Sequence, residues 1–596
     1  MNTYREYRWN FLPNPDAHQV EQLAQAVGIS DTIATLLLNR NISTYDLAKE
    51  YFKPTFADLP NPFLMDGMEN AVERILRARE NKEKIFVFGD YDVDGTNGTA
   101  MLSTFLQSIG CEVAYFVPDR INDGYGVSVS GIQKGKEFGA SVLLTVDCGV
   151  TAVEQVDVAN SLGFDVIICD HHKPGETLPR AYALLDPLKD GCSYPYKYLC
   201  GTGVGFKFIQ GICEKIFATP LEREEKLKEY LQFVVLATAA DIVPLTGENR
   251  ILLKIGLQLL NTLPRTGIRA LLDSAGLRKG KITVGNIVFV LAPRINAVGR
   301  MGDAHRAIHL LISTDEAESK ELALVLESEN TARKKIDEET FAEAQEVAKA
   351  LLADGNPAAF VLHQEHWHPG VIGIVASRIV EKYYRPTVML TTVDGKVKGS
   401  ARSVDGFDIH TALSQVEDKL LTFGGHKYAA GVSLEKERVG EFRQAFAKIV
   451  DELMTDELRV PGLKIDCNIT LSELIPKFVR IVSNFAPFGP QNMRPIFCAR
   501  NLTIVGVPRT FGKGHLRMRV RETVHNGNTL PIVFDAVGFG MAPLLPKLSS
   551  NAPIDVVFSL DEYEENISSR NAPAAEFPVL RLRDVRLSNE ENSSRK

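Results

Sequence analysis

The sequence predicts an α/β protein with four parts: a doubly wound parallel sheet, a long connecting helix, a second α/β domain and a C-terminal OB-like β-barrel. Three patterns carry this reading. From Ala71 to Leu188, short apolar runs (Lys84–Phe88, Val113–Val117, Val142–Val146, Val166–Cys169 and Ala183–Leu185) alternate with short helical stretches, the signature of βαβ units. Thr314 to Leu352 contains neither Pro nor Gly and is rich in Ala, Glu, Leu and Lys. It reads as one long helix with Ser313 or Thr314 as N-cap and acidic residues in its first turn. From about Leu463 the pattern shortens to alternating runs separated by turns (Leu463–Ile469, Leu502–Val507, His515–Val520, Pro531–Val537, Ile554–Leu560 and Val579–Leu587), as expected of a small barrel.

In chain order, residues 1–66 read as a helical lead-in, which Pro54, Pro60 and Pro62 terminate. The sheet domain spans 67–313. Its second half is helical and includes the apolar helix Leu231–Ala240, which delivers Asp241. After the run Ile287–Leu291, Arg294, Asn296 and Arg300 are expected on a Gly-containing turn. Two arginines and an asparagine around one turn suit phosphate oxygens through forked hydrogen bonds, with ion pairs to neighbouring helices as the alternative. The long helix, 314–354, is a spacer. The second α/β domain covers 355–456, with strands at Ala359–His363, Thr387–Thr391 and Lys398–Val404 and a helix at Val371–Tyr383. The barrel domain covers 457–590 and a polar tail 591–596. In the barrel, Arg517, Arg519 and Arg521 share one face of a strand as a basic stripe. Arg509, Lys513 and His515 lie beside them, and Phe511 and Phe534 are candidate stacking rings for single strands.

Chemistry concentrates where the apolar strands stop. The first ends on Asp90, Asp92 and Asp94, the third on Asp147 and the fourth on Asp170, His171 and His172. In an open α/β sheet the functional crevice lies at these carboxyl ends. Carboxylates this close repel one another unless a cation neutralises them. Imidazole and carboxylate together suit Mn²⁺ or a similar ion, and more than four such ligands point to two ions. Asp241, appended to an apolar helix just before a Val-Pro break, is costly to bury without a partner, and a metal supplies one.

With these residues in place, Gly89-Asp-Tyr-Asp-x-Asp-Gly95, Val146-Asp-Cys-Gly149, Asp170-His-His172 and Ala240-Asp-Ile-Val-Pro-Leu245 resemble the four motifs of the DHH phosphoesterases. Further stretches extend the resemblance: Asp123-Gly-Tyr-Gly126, Arg294-Ile-Asn-Ala-Val-Gly-Arg300, Trp367-His-Pro-Gly370, Lys398-Gly-Ser-Ala-Arg-Ser403 and Gly424-Gly-His426. Together they are similar to the branch of that family that degrades single-stranded DNA from the 5′ end, and cover the chain from about Phe52 to Leu434. The resemblance implies hydrolysis of phosphodiester bonds to 5′-mononucleotides with two divalent ions, Mn²⁺ or Mg²⁺. Asp94, Asp147, His171 and Asp241 would hold one ion, and Asp90, Asp92 and Asp147 the other. His172 would contact the scissile phosphate and protonate the leaving oxygen. Arg120, Arg294, Asn296 and Arg300 would steady the strand. Ser400, Arg402, Gly424, Gly425 and His426 would form a terminal-phosphate pocket facing the metals, and Arg517 and Arg519 would track the DNA. It further implies a role in DNA recombination and repair, a cytoplasmic monomer, and single-strand-binding protein and a helicase as partners. Two departures stand out. Phe88 occupies a position where related pyrophosphatases carry a histidine, and Gly489-Pro-Gln-Asn-Met-Arg-Pro495 replaces a Gly-Asn-Pro-Glu-Pro pattern.

Composition leaves three function classes open. With 596 residues and 45% apolar content the chain can bury several cores. Its net charge of −8 is mildly unfavourable for a nucleic-acid binder, but a local basic stripe suffices for phosphate contact. Eight cysteines without a C-x-x-C pair point to reduced core thiols. There is no run of ~18 apolar residues and the first residues lack an apolar leader, so no membrane association is expected. A phosphodiesterase for short oligonucleotides or cyclic dinucleotides would need no basic barrel. A scaffold with a lapsed site would have lost ligands that this chain retains.

Overall fold

The computed structural model describes residues 4–118, 126–301, 303–523, 532–549, 552–560 and 578–588. The chain forms two compact units, one of Ile42–Thr331 with Asn484–Arg494, the other of Met1–Asn41, Ala332–Ser483 and Pro495–Lys596.

The first unit is built on a five-stranded sheet in the order Glu112–Phe116, Lys84–Gly89, Val142–Val146, Asp165–Cys169, Ala183–Leu185. All four ladders are parallel. A parallel strand covered on both faces carries a continuous apolar run, and every residue of Val142–Val146 is buried. The ladders are in register at their carboxyl ends: Gly89 pairs with Val146, Val146 with Cys169 and Cys169 with Leu185. Two further bonds, Asp147 N to Cys169 O (3.0 Å) and Asp170 N to Leu185 O (3.0 Å), carry the alignment one residue past the strands. Asp90, Asp147, Asp170 and Asp186 therefore leave four neighbouring strands at one level. Helices Val93–Ser108, Gly201–Ile216 and Leu231–Ala240 share the large core beneath this edge.

That core encloses one ion pair. Lys207 Nζ lies 2.9 Å from Glu248 Oε1, with both side chains excluded from solvent, and the Tyr194 hydroxyl donates to Glu248 Oε2 at 2.7 Å. Burial pulls the Lys207 ammonium below its ordinary range, against the pull of Glu248.

Arg294, Asn296 and Arg300 do not sit on a turn. A π-helical turn, Ile287–Leu291, runs directly into helix Ala292–Met301. Pro293 lies inside this continuous helical stretch, directly after the π-helical turn, where the irregular hydrogen-bond spacing accommodates its missing N–H. Gly299, the residue that suggested the turn, is needed for closeness: a Cβ there would lie 2.6 Å from Tyr91 O.

The second unit contains a five-stranded sheet in the order Thr422–His426, Ala429–Leu434, Lys396–Arg402, Thr387–Val393, Phe360–His363, antiparallel except for its last pair. It also contains the barrel. Strands Ile496–Ile504, Ile554–Leu560, Leu580–Leu587, Phe534–Gly538 and His515–Glu522 pair in that order, and the last pairs again with the first, closing the ring. The lead-in is not wholly helical. Arg8–Phe11 is a strand that pairs in parallel with Gly462–Ile465, and Tyr4 and Trp9 both donate to Asp584 at 2.6 Å. The long helix runs from Glu316 to Asp354. Its cap is Asp315, whose carboxylate accepts from Glu318 N at 2.8 Å, whereas Ser313 donates to the Glu318 side chain.

Breaking the buried pair should be more damaging than removing it. We expect Lys207→Met to lower unfolding free energy by about 3–5 kcal/mol, because the Glu248 charge is then buried without compensation. Adding Glu248→Gln should recover most of that loss. Urea titration of the single and double variants checks both.

Candidate active site

The four aligned aspartates have different surroundings, and those surroundings set different roles. Asp147 is buried in the left-handed region at φ 61°, a conformation that Asp tolerates better than most residues. Gly201 packs directly on it, since a Cβ there would lie 2.6 Å from Asp147 Cα. Asp94, in the first turn of Val93–Ser108, accepts from Gly201 N (2.6 Å) and Thr202 N (2.8 Å) at the opening of helix Gly201–Ile216. Asp92 caps its own helix, accepting from Asp94 N at 2.8 Å and Gly95 N at 3.1 Å. His171 Nε2 lies 3.1 Å from Asp147 Oδ1, 3.7 Å from Asp241 Oδ2 and 3.8 Å from Asp94 Oδ2.

Three sets of donor atoms each fall within 4.8 Å of one another: Asp90, Asp92 and Asp147; Asp94, His171 and Asp241; Asp147, His171 and His172. Burial pushes Asp147 well above the usual carboxylate range, and Asp94, Asp92, Asp241 and Asp90 add to the shift. Burial does the same to Asp241, with Asp94 and Asp92 contributing. Asp92 is raised by burial and by Asp94, partly offset by its backbone bonds. Asp241 Oδ2, sealed from solvent, receives no hydrogen bond. A cluster of like charges with an unsatisfied buried oxygen fits a divalent cation, and the mixed carboxylate and imidazole donors fit Mn²⁺ or Mg²⁺. Burial also lowers His171, which keeps it neutral as a ligand must be.

Asp170 works differently. It accepts from Val150 N (2.9 Å), His171 N (2.8 Å), His172 N (3.2 Å) and His172 Nδ1 (2.7 Å). Burial opposes its charge, yet the His172 and Val150 bonds hold it below the usual range. His172 is raised in turn, because the Asp170 bond outweighs burial. The imidazole is thus held at Nδ1 by the Asp170 carboxylate. Asp186, which the sequence reading passed over, is fully buried and accepts from Leu188 N at 2.7 Å. Burial and the Asp170 charge push it up to about 7. Phe88 lies in the core against Phe116, ring centres 5.4 Å apart.

Among the other expected residues, Arg120 lies outside the described residues, as does most of Asp123-Gly-Tyr-Gly126. Arg294 is buried, with Nε bonded to the Glu327 carboxylate and Nη1 to Val290 O (2.6 Å), so the ion-pair alternative describes it in this state. Asn296 and Arg300 are half-buried on the same helix.

In the second unit, strand register gathers Arg402, Ala429 and His426 in one row and Ser400, Gly431 and Gly424 in the next, with Gly425 between the rows on the edge strand. Helix Ile372–Tyr383 begins against them. A Cβ on Gly373 would lie 3.0 Å from both Ser400 Oγ and Arg402 Nη2, and Arg402 Nη1 donates to Ser400 Oγ at 2.9 Å. Guanidinium, hydroxyl and a helix N-terminus make an anion-binding arrangement.

On the barrel, His515, Arg517, Arg519 and Arg521 alternate with buried Leu516, Met518 and Val520, so they share one outer face. Arg509 pairs with Arg517 and Phe511 with His515 on the adjacent strand. Asp535 offsets one charge, 3.4 Å from Arg517. Phe534 is buried and is no stacking ring. Phe539 takes that place: exposed, it lies 5.0 Å from His515 and 5.1 Å from the Arg581 guanidinium.

Sheet, acidic edge and tandem histidines together define a DHH-type phosphoesterase, and residues 84–238 match the DHH family, N-terminal domain. Residues 355–452 match the DHHA1 domain and 465–570 the RecJ OB domain. The single-stranded-DNA-specific exonuclease RecJ of Bacillus subtilis is 34% identical over 587 residues, 97% of this chain and 72% of that protein. That of Escherichia coli is 33% identical over 516 residues, 83% of this chain and 87% of that protein. The solved structure of RecJ from Thermus thermophilus with Mn²⁺ superposes with a TM-score of 0.80 at 28% identity, covering 97% of this chain and 79% of that one. The chain belongs to the RecJ family.

The raised carboxyls give the metal-free protein a definite pH response. Asp186 holds its proton more tightly folded than unfolded. From the ordinary Asp range near pH 4 up to about 7, the unfolded chain has released a proton that the native state keeps, so stability falls as pH rises. We expect Asp186→Asn to resist urea better than the parent at about pH 8 and to match it at about pH 4. An equal difference at both would assign the effect to packing.

Proposed function

We propose that the chain is a single-stranded-DNA-specific exonuclease that cuts from the 5′ end and releases 5′-mononucleotides. The observation that carries the reading is the cluster of Asp90, Asp92, Asp94, Asp147, His171 and Asp241 at one sheet edge. Its relatives are named as single-stranded-DNA-specific exonucleases, and RecJ of Thermus thermophilus has been solved with Mn²⁺ and with Mg²⁺. Both ions fit the donor set here. The barrel stripe supports a strand rather than a dinucleotide as substrate, since a dinucleotide needs no extended basic track.

Asp94, Asp147, His171 and Asp241 would hold one divalent ion, and Asp90, Asp92 and Asp147 the other. When bound, the two ions activate water and neutralise charge at the phosphorus undergoing in-line displacement. Asp92 can bind in this way while capping its helix, because both cap bonds use Oδ1. His172, oriented through Nδ1 by Asp170, donates the Nε2 proton to the leaving oxygen. Arg120, Asn296 and Arg300 steady the strand, and Arg294 joins them on exchanging Glu327 for phosphate. Ser400, Arg402 and Gly424 to His426 receive the terminal phosphate. Arg517 and Arg519 carry the trailing strand, with Phe511 and Phe539 as stacking surfaces. The reading extends to a cytoplasmic monomer acting in recombination and repair on strands opened by a helicase and covered by single-strand-binding protein. Among the described residues no helix is long and apolar enough to cross a membrane.

Asp147→Ala should abolish cleavage of a labelled oligonucleotide and the thermal shift produced by Mn²⁺, while raising the melting temperature of the metal-free protein. Parent-like turnover in the variant would overturn the two-ion ligand set.

End recognition has its own test. Binding energy from a remote phosphate aligns the scissile bond, so its loss lowers turnover as well as affinity. A 5′-phosphorylated strand should be cut faster than its 5′-hydroxyl counterpart, and Arg402→Ala should erase the difference. Time courses on gels decide it, and a preference that survives in the variant places the pocket elsewhere.

A further inference from the structure

Asp241 is the one proposed metal ligand that does not lie in a segment directly following a strand of the sheet. It caps helix Leu231–Ala240 and opens a short turn, Ile242 to Thr246, before helix Gly247–Thr262. Ile242 lies in the left-handed region at φ 61° and is 64% exposed. For a β-branched residue this is a genuine outlier, and such strain persists only where the surroundings over-determine it. Within the turn, Pro244 O accepts from Asn249 Nδ2 (3.0 Å) and from the Tyr196 hydroxyl (3.1 Å).

The remaining restraint comes from the distant segment Asn484–Arg494. Pro490 O accepts from Leu245 N at 2.8 Å, and Gly489 packs on the Leu245 side chain so closely that no Cβ would fit. Arg250, one turn into the following helix and almost fully buried, grips the same segment. Its Nη1 donates to Phe485 O (2.8 Å) and its Nη2 to Ala486 O (3.1 Å) and Asn484 O (3.4 Å). Nε donates to Tyr51 O at 3.1 Å, and the guanidinium stacks 3.6 Å from the Tyr51 ring centre. Lys254 adds bonds to Asn484 O (2.9 Å) and Ala486 O (3.1 Å). Asn492 shapes the segment from within. Its Nδ2 donates to Phe485 O (3.0 Å) and Pro487 O (2.7 Å), its Oδ1 accepts from the Tyr51 hydroxyl (2.9 Å), and its backbone exchanges bonds with Gly489.

We propose that Asn484–Arg494 is a brace for the metal site. It fixes the strained turn that presents Asp241, and Arg250 and Asn492 are the positioning residues that fasten it. No reacting atom touches either residue. Their effect passes through the position of one carboxylate, in the way that partners of a ligand tune a metal without binding it. The brace also gives the unusual Gly489–Pro495 sequence a task. Asn492 provides the amide that ties the segment together, and Gly489 leaves room for Leu245.

The proposal rests on Asp241 being a ligand, and the experiment separates the two claims. Mn²⁺ is titrated calorimetrically into metal-free full-length protein for the parent, Asp241→Asn, Arg250→Gln and Asn492→Ala, with the melting temperature of each measured alongside. Asp241→Asn should lose one class of Mn²⁺ site. If it does not, the ligand set has failed and the brace with it. Asn492→Ala and Arg250→Gln should keep both classes and weaken one by about 10-fold, the low end of what losing a ligand's orienting partner costs. Asn492→Ala, the gentler change, keeps the test valid if Arg250→Gln fails to fold. A lowered melting temperature with parent-like Mn²⁺ affinity in Asn492→Ala would reduce the brace to a purely structural contact and overturn the proposal.

Discussion

Parallel strands in register deliver their next residues to one level, and here four consecutive sheet positions deliver an aspartate each. Nothing in the backbone favours gathering negative charge in this way. The ladders, fixed by the apolar runs they join, impose it, and mutual repulsion must be offset locally. Asp170 is offset by three backbone amides and an imidazole, and Asp186 by holding its proton more tightly than an ordinary carboxyl. Asp147 and the neighbouring Asp90, Asp92 and Asp94 have fewer such outlets, and they are the ones that suit divalent cations. One constraint thus sorts the acids into a hydrogen-bonded residue, a residue with a raised pKa and the proposed ligands.

The two units put different physics around phosphate. At the sheet edge, backbone amides and helix caps hold the carboxylates rigid before any ion arrives. Asp94 is fixed by two N–H groups at the start of a neighbouring helix, and Asp92 by its own helix. At the second sheet, a hydroxyl, a guanidinium and a helix terminus leave an anion site without a metal. On the barrel, exposed arginines and rings offer a track that makes no demand on base identity. On the function proposed above, positioning is rigid where bonds are to be broken and permissive where the strand must slide.

How much of this was legible in the sequence depended on the range of the signal. Asp90 to Asp94, Asp147 and Asp170 to His172 could be found because each follows a four- or five-residue apolar run. Asp186 follows a run of only three, Ala183–Leu185, which reads as a strand, but the acid stands alone before a Pro with no further acid or histidine beside it, so nothing singles it out. Gly299 suggested a turn at Arg294–Arg300. A Gly beneath a close carbonyl is equally compatible with a helix, and only packing against Tyr91 decides between them. Phe534 turned out to face the barrel interior while Phe539, one residue past the strand, is exposed, a distinction that needs the strand's register and its end. The strand at Arg8–Phe11 was invisible because its partner, Gly462–Ile465, lies some 450 residues away in the chain.

The polypeptide visits the catalytic unit twice, and this has a consequence for synthesis. The turn after Asp241 is made early, but Asn484–Arg494 emerges about 250 residues later. At about 5–20 residues per second the nascent chain spends roughly 12–50 s with Arg250 and Leu245 lacking their later partners. The sheet and its acidic edge can assemble in that interval, whereas the turn bearing the last carboxylate cannot reach its final state. If Asn484–Arg494 braces the metal site as proposed, the centre is completed only once that segment has emerged, and its maturation is timed by chain elongation.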